Sequence, residues 1–72
     1  MSDRAALQIA ILKLVEKAAA EGTVIDVKSE GFRIATEYPR SGFNIEDIYR
    51  RIERIAVLKS AAVSRDLVSR NA

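Results

Sequence analysis

Four arginines in the second half of the chain have the spacing of one charged helix face: Arg50, Arg51, Arg54 and Arg65. At ~100° of rotation per residue, they fall within a sector of about 100°. Guanidinium groups pair with phosphates, and phosphate neutralisation supplies most of the non-specific affinity of proteins for nucleic acids. The spacing therefore makes this face a candidate nucleic-acid contact.

The same arginines also fit an ordinary solvated helix face, and this interpretation is favoured. Glu46 stands four residues before Arg50, and Asp47 stands four residues before Arg51. That order stabilises ion pairs on a helix. No aromatic residue that could stack on a base falls on the arginine face, and no nucleic-acid-binding signature is present.

Catalytic chemistry has few suitable residues, because the chain contains no histidine and no cysteine. A nucleophile or general base would have to be a hydroxyl, a lysine or a carboxylate in an unusual environment. No spacing indicates such a group. The ordinary ligands of a structural zinc are missing as well. We expect a non-enzymatic protein with no metal site and no cofactor.

Residues 38–42 form a weaker candidate site for an anion. This segment holds the only proline and precedes a predicted helix, whose first N–H groups could bind a negative charge. It has a single glycine and no lysine, and Glu46 and Asp47 at the helix start would repel an anion. A structural turn is the favoured interpretation.

The composition is typical of a folded domain without a membrane span. Of 72 residues, 49% are hydrophobic and 31% are charged. The hydrophobic fraction is higher than that of disordered chains. The apolar run over 5–15 is interrupted by Gln8 and Lys13, and falls short of the ~18 residues that a membrane helix needs. No signal-peptide cleavage pattern follows it. We expect a soluble protein of the cytoplasm that does not contact membranes.

Two helices are predicted from apolar periodicity and capping residues. Helix 1 runs from about 3 to 21, with Ser2 as its N-cap and Gly22 ending it in a left-handed conformation. Helix 2 runs from 45 to at least 59, with Asn44 as its N-cap. Each carries an apolar seam, so the two helices are expected to pack antiparallel. Ile52 and Ile55 are predicted to lie in the core.

Two β-branched runs, 23–27 and 32–36, predict a β-hairpin between the helices. A three-residue loop would mix polar and apolar residues on each face. A four-residue loop with Gly31 in the left-handed position places Val27 opposite Phe32, and Asp26 opposite Arg33. The predicted fold is therefore α+β in the order helix, antiparallel two-stranded hairpin, helix. The domain covers 1–63, and 64–72 is expected to be a frayed tail.

Some apolar residues do not fit one buried face of a monomer. Chains of this size bury only about 60% of their surface, and oligomerisation commonly adds the missing stability. A homodimer that completes the fold is therefore predicted. The favoured function is a small protein–protein interaction module that self-associates, and the alternative is a nucleic-acid-binding accessory protein. The residues assigned to self-association are Ile9, Leu12, Val24, Val57 and Leu58.

Overall fold

The structure is a computed structural model that describes residues 2–65. These residues fold as three helices and one short parallel sheet. In chain order the elements are α1 (Asp3–Glu21), β1 (Val24–Asp26), α2 (Val27–Glu37), α3 (Ile45–Lys59) and β2 (Ala62–Ser64). Within the described residues, no helix combines the length and the apolar character required to cross a membrane.

The first and last helices begin where their capping residues predict. The Ser2 hydroxyl accepts a hydrogen bond from the backbone N–H of Ala5 at 3.2 Å. The Asn44 side chain accepts one from the N–H of Asp47 at 2.9 Å. These bonds satisfy N–H groups that have no partner inside the helix. The predicted extent of helix 1, 3–21, is confirmed, and so is that of helix 2 from 45 to 59, although its end was left open.

The predicted antiparallel hairpin is wrong, because its second half is helical. Residues 24–26 form β1, but the chain then turns directly into α2. Asp26 is the N-cap of α2, and its carboxylate accepts a hydrogen bond from the N–H of Ser29 at 3.2 Å. Gly31 lies inside this helix and is not among the residues with positive φ. The cross-strand pair predicted between Val27 and Phe32 therefore does not exist.

Helical spacing explains the side chains of α2 better than strand alternation does. Val27, Gly31 and Ile34 are buried, and they recur at intervals of four and three residues. Phe32, which the hairpin would have paired, is 67% exposed. Arg33 does not pair with Asp26, as the hairpin predicted, but binds Glu30 and Glu37 one helical turn away on either side.

The two strands pair in parallel, which requires a long connection between them. Val24 stands opposite Ala62, and Ile25 stands opposite Val63. Parallel strands cannot be joined by a tight turn and need a crossover of a dozen or more residues. Here α2 and α3 supply that crossover.

The first and last helices point in the same direction, contrary to the predicted antiparallel pair. Their starts are joined by the guanidinium of Arg4 over the ring of Phe43, 4.3 Å from its centroid. Their ends are joined by Lys59 and Glu16, whose charged atoms are 3.5 Å apart. α2 returns the chain between them, so α1 and α3 can pack side by side in parallel. The sequence pattern specified the apolar seams but not this intervening helix.

α1 and α3 end with the same local motif. Gly22 and Ser60 both adopt the left-handed conformation, with φ of 70° and 59°. After Gly22, the N–H of Thr23 donates to the carbonyl of Ala18. After Ser60, the N–H of Ala61 donates to the carbonyl of Ala56. This is the Schellman arrangement, which satisfies the last helical carbonyls. Each helix is thereby turned into a strand of the same sheet.

Substitutions at these two helix ends should change stability in opposite directions. Ser60→Gly is expected to stabilise the fold by about 0.5–1 kcal/mol, since glycine enters the left-handed region without a Cβ clash. Gly22→Ala is expected to cost about 1 kcal/mol for the same reason. A Cβ at Gly22 would meet no atom within 4 Å, so only the backbone contributes. Urea unfolding at one protein concentration measures both changes, and shifts of the same sign would contradict these conformations.

The core lies where the three helices meet the sheet. Ile52 is fully buried, as predicted, whereas Ile55 is only partly buried and packs at the margin of the core. Ser64 of the predicted tail closes β2, and Arg65 follows it. Residues 66–72 lie outside the described residues. The fully or almost fully buried apolar residues are Leu7, Ile11, Val15, Ala18, Ile25, Val27, Ile34, Ile48, Ile52 and Ala56.

Candidate interaction surfaces

An exposed apolar surface runs along the junction of α1 and α3. Ile9, Leu12 and Ile55 line one shallow groove of about 290 Å³. Ile9 is 42% exposed and Leu12 is 38% exposed. Leu58, 73% exposed, follows Ile55 by three residues and so occupies the neighbouring position on the same helix face. These four residues, Ile9, Leu12, Ile55 and Leu58, are called the apolar surface below.

The other residues predicted for self-association lie elsewhere. Val24 is half exposed on β1, where it borders a different groove beside Lys17 and Glu21. Val57 is 76% exposed, but points about 100° around α3 from Leu58. Phe32 is exposed on α2. It was not predicted to be exposed, because the predicted hairpin paired it with Val27 across the strands. The structure therefore groups Ile9 with Leu12 and adds Ile55 to them.

A second surface gathers arginines around Phe43. The guanidinium carbons of Arg4 and Arg51 lie 4.3 and 4.1 Å from the centroid of the Phe43 ring. Both distances are within the range of cation–π attraction. Arg50 and Arg54 line the same groove of about 380 Å³. The four arginines and Phe43 are called the arginine surface below.

Most of the charge on this surface has no carboxylate counterpart. Among residues 2–65, Arg4, Arg51 and Arg54 form no salt bridge, and Arg50 has only a 3.8 Å contact with Asp47. The two ion pairs predicted at four-residue spacing, Glu46 with Arg50 and Asp47 with Arg51, do not form. The arginine surface therefore keeps a local excess of positive charge.

Arg65, the fourth arginine of the predicted face, belongs to another cluster. It follows β2 and does not lie on the helix. Its guanidinium binds the Glu53 carboxylate at 2.6 Å and the Glu46 carboxylate at 3.3 Å, and it lies 5.0 Å from the centroid of the Tyr49 ring. The hydrogen bond from Arg65 lowers the pKa of Glu53, and the same contact raises the pKa of Arg65. This cluster fastens β2 to α3.

Sequence reasoning missed two members of the arginine surface, Arg4 and Phe43. Arg4 stands at the start of α1, 39 residues before Phe43. An antiparallel pair of helices would have placed it at the far end of α3. The parallel direction of α1 and α3 was the missing information, and no local pattern carries it.

The loop before α3, a weak candidate for anion binding, is held by internal hydrogen bonds. The backbone N–H of Arg40 donates to the Asp3 carboxylate at 3.0 Å. Ser41 is buried, and its hydroxyl accepts from the N–H of Phe43 at 3.2 Å. Together with the Asn44 cap, these bonds position α3 against the start of α1. The loop thus sets the place of Phe43.

The described residues contain no cluster of acidic side chains placed to hold a metal ion. A groove of about 630 Å³ lies between α1 and α2. It is open and shallow. Its α2 side carries the internal ion-pair group of Arg33, Glu30 and Glu37, and its α1 side carries Lys13 and Lys17.

No known protein family, curated protein or solved structure matches this chain. Support for a function therefore comes from the two surfaces.

Proposed function

We propose that the protein is a small, non-enzymatic interaction module that self-associates through the apolar surface. The observation that carries this proposal is the exposed groove of Ile9, Leu12 and Ile55, with Leu58 beside it. Contiguous apolar surface on a small protein is costly in water and is commonly covered by a partner. A second copy can cover it with the same four residues. A cytoplasmic location stays part of the proposal.

The size of the domain supports a second copy as the occupant. Ordering 72 residues costs on the order of 1.5 kcal/mol each, which one core of this size can barely offset. In a twofold pair, the α1 and α3 faces of both copies would form a four-helix contact. Each favourable contact would occur twice, once on either side of the symmetry axis.

The charges around the apolar surface specify how two copies would be oriented. Glu16 and Lys59 flank the end towards the helix C-termini, and Arg51 flanks the opposite end. A twofold axis in the contact plane and perpendicular to the helices places α3 against α3 of the partner subunit, so Arg51 would lie near Lys59 of the partner subunit. An axis parallel to the helices places α1 against α3 of the partner subunit, so Glu16 would lie near Lys59 of the partner subunit. Opposite charges favour the parallel axis.

Association should be measurable, and lysines placed in the apolar surface should abolish it. Sedimentation equilibrium is expected to show about twice the chain mass of 8.0 kDa at micromolar concentration. The melting temperature should rise with protein concentration, as mass action requires. Leu12→Lys and Leu58→Lys should each weaken association by at least about tenfold, roughly 1.4 kcal/mol, because each would bury an unpaired ammonium group in the apolar contact.

Phe32→Lys is the matched control. Phe32 is about as exposed as Leu58 but lies on α2, outside the apolar surface. It should leave association unchanged. A mass of about 8 kDa at high micromolar concentration, with a melting temperature independent of concentration, would refute the proposal. Equal weakening by Phe32→Lys would place the interface elsewhere.

A further inference from the structure

We infer that the arginine surface is a binding site for single-stranded nucleic acid. Four guanidinium groups border one groove, and three of them have no carboxylate partner within residues 2–65. Gathering like charges is unfavourable unless something offsets the repulsion. A polyanion would do so, and each arginine that neutralises a phosphate releases bound counterions.

The ring of Phe43 preorganises two of these guanidinium groups for binding a ligand. It holds the guanidinium carbons of Arg4 and Arg51 within 4.3 Å of its centroid, although neither arginine has an ion-pair partner in the described chain. Arginine side chains normally lose rotamer entropy when they are fixed. Since the ring already restricts both, less of that entropy remains to be lost on binding.

Stacking favours a nucleic acid over an acidic peptide. Guanidinium groups are planar, and nucleobases stack on their planes as they do on aromatic rings. The contact of Arg4 and Arg51 with Phe43 is a short stack that a base can extend, whereas a carboxylate of an acidic peptide cannot. The phosphates of the same strand would then lie near Arg50 and Arg54. Single strands expose base faces that a duplex keeps covered, so they are the preferred form.

Asp47 limits where phosphates can bind. Its carboxylate borders the groove and lies 3.8 Å from Arg50. The groove still has an excess of positive charge, with four arginines against this one carboxylate. Phosphates should therefore approach from the side of Arg54, which is exposed and forms no salt bridge among residues 2–65.

The test measures binding of the full chain to a fluorescent oligothymidylate of about 12 nucleotides across a salt series. The slope of log affinity against log salt falls by about 0.7 for each lost phosphate contact on a single strand. Arg50→Gln with Arg54→Gln should reduce the slope by about 1.4, equivalent to about 60-fold weaker binding at about 50 mM salt. Arg51 is left unchanged because it also borders the apolar surface.

The matched control is Lys13→Gln with Lys17→Gln, which removes the same charge from α1 outside the arginine surface. It should leave the slope unchanged. An equal loss of slope in this control would show general charge attraction and overturn the inference. Absence of binding at low salt, or equal affinity for a duplex of the same length or for polyglutamate, would overturn it as well.

A second readout tests the stack itself. A strand containing 2-aminopurine should lose fluorescence on binding, because stacking quenches that base. Phe43→Leu keeps every charge but removes the ring, and should abolish the quenching while weakening binding several-fold. Circular dichroism tests whether the variant is folded. If it is unfolded, the test depends only on whether the unmodified protein quenches the 2-aminopurine fluorescence. Binding without quenching would refute the stacked arrangement.

Discussion

Ile52→Ala should destabilise the protein by about 2–5 kcal/mol, the largest effect expected of any substitution considered. Ile52 lies in the middle of α3 and is fully buried. Removing its outer carbons loses their transfer free energy and leaves a cavity, because neighbours on three helices cannot all move inward. A domain this small has a total stability of only a few kcal/mol, so the variant should be largely unfolded at 37 °C.

Leu58→Ala is the control for this prediction. Leu58 lies six residues later on the same helix but is 73% exposed, so truncation should cost the isolated fold less than about 1 kcal/mol. Urea unfolding followed by circular dichroism, at one low protein concentration, separates folding from association. Equal destabilisation by the two substitutions would mean that α3 does not present Ile52 to the core.

Both ends of α1 and the start of α3 could be predicted because their signals are local. Ser2, Asn44 and Gly22 act within one helical turn of themselves, through capping bonds or a left-handed φ. The left-handed Ser60 carried no such signal, since glycine usually fills that position. Its conformation follows from the strand that comes next, which has to reach β1.

The hairpin was mispredicted because β propensity depends on context. Residues 23–27 and 32–36 are rich in β-branched side chains, and a half-buried surface can accept them in either conformation. Asp26, read as a cross-strand partner, is instead a helix N-cap three residues before the N–H it binds. Gly31 between the runs resembled a turn residue. Its actual role depends on Tyr49, eighteen residues later, and short-range patterns do not contain that contact.

The two surfaces were only partly predictable for a related reason. Arg50, Arg51 and Arg54 share a face by helical spacing alone, and the structure places all three around one groove. Arg65 was assigned to that face by extending the helix beyond Lys59, where the chain in fact leaves it for β2. The parallel packing of α1 and α3 places Arg4 and Phe43 in the arginine surface and Ile55 in the apolar surface. This packing is a tertiary property.

Gly31→Ala should destabilise the protein by about 1–3 kcal/mol, although the same change inside a helix normally stabilises by about 0.5–1 kcal/mol. A Cβ at this position would lie 2.6 Å from two ring carbons of Tyr49. The ring packs against the core, so either the ring leaves this packing or α2 shifts relative to α3. Close approach of these two helices, and not a left-handed φ, is the reason for glycine here.

A double-mutant cycle with Tyr49→Ala distinguishes these two reasons. Without the ring, Gly31→Ala should cost nothing or stabilise slightly, giving a coupling energy of about 1.5 kcal/mol or more between the two positions. If Gly31 were instead the left-handed residue of a hairpin loop, alanine would be unfavourable in both backgrounds and the coupling would be near zero. Urea unfolding of the four proteins measures all the required differences. Zero coupling would therefore contradict both the helical state of 27–37 and its packing against α3.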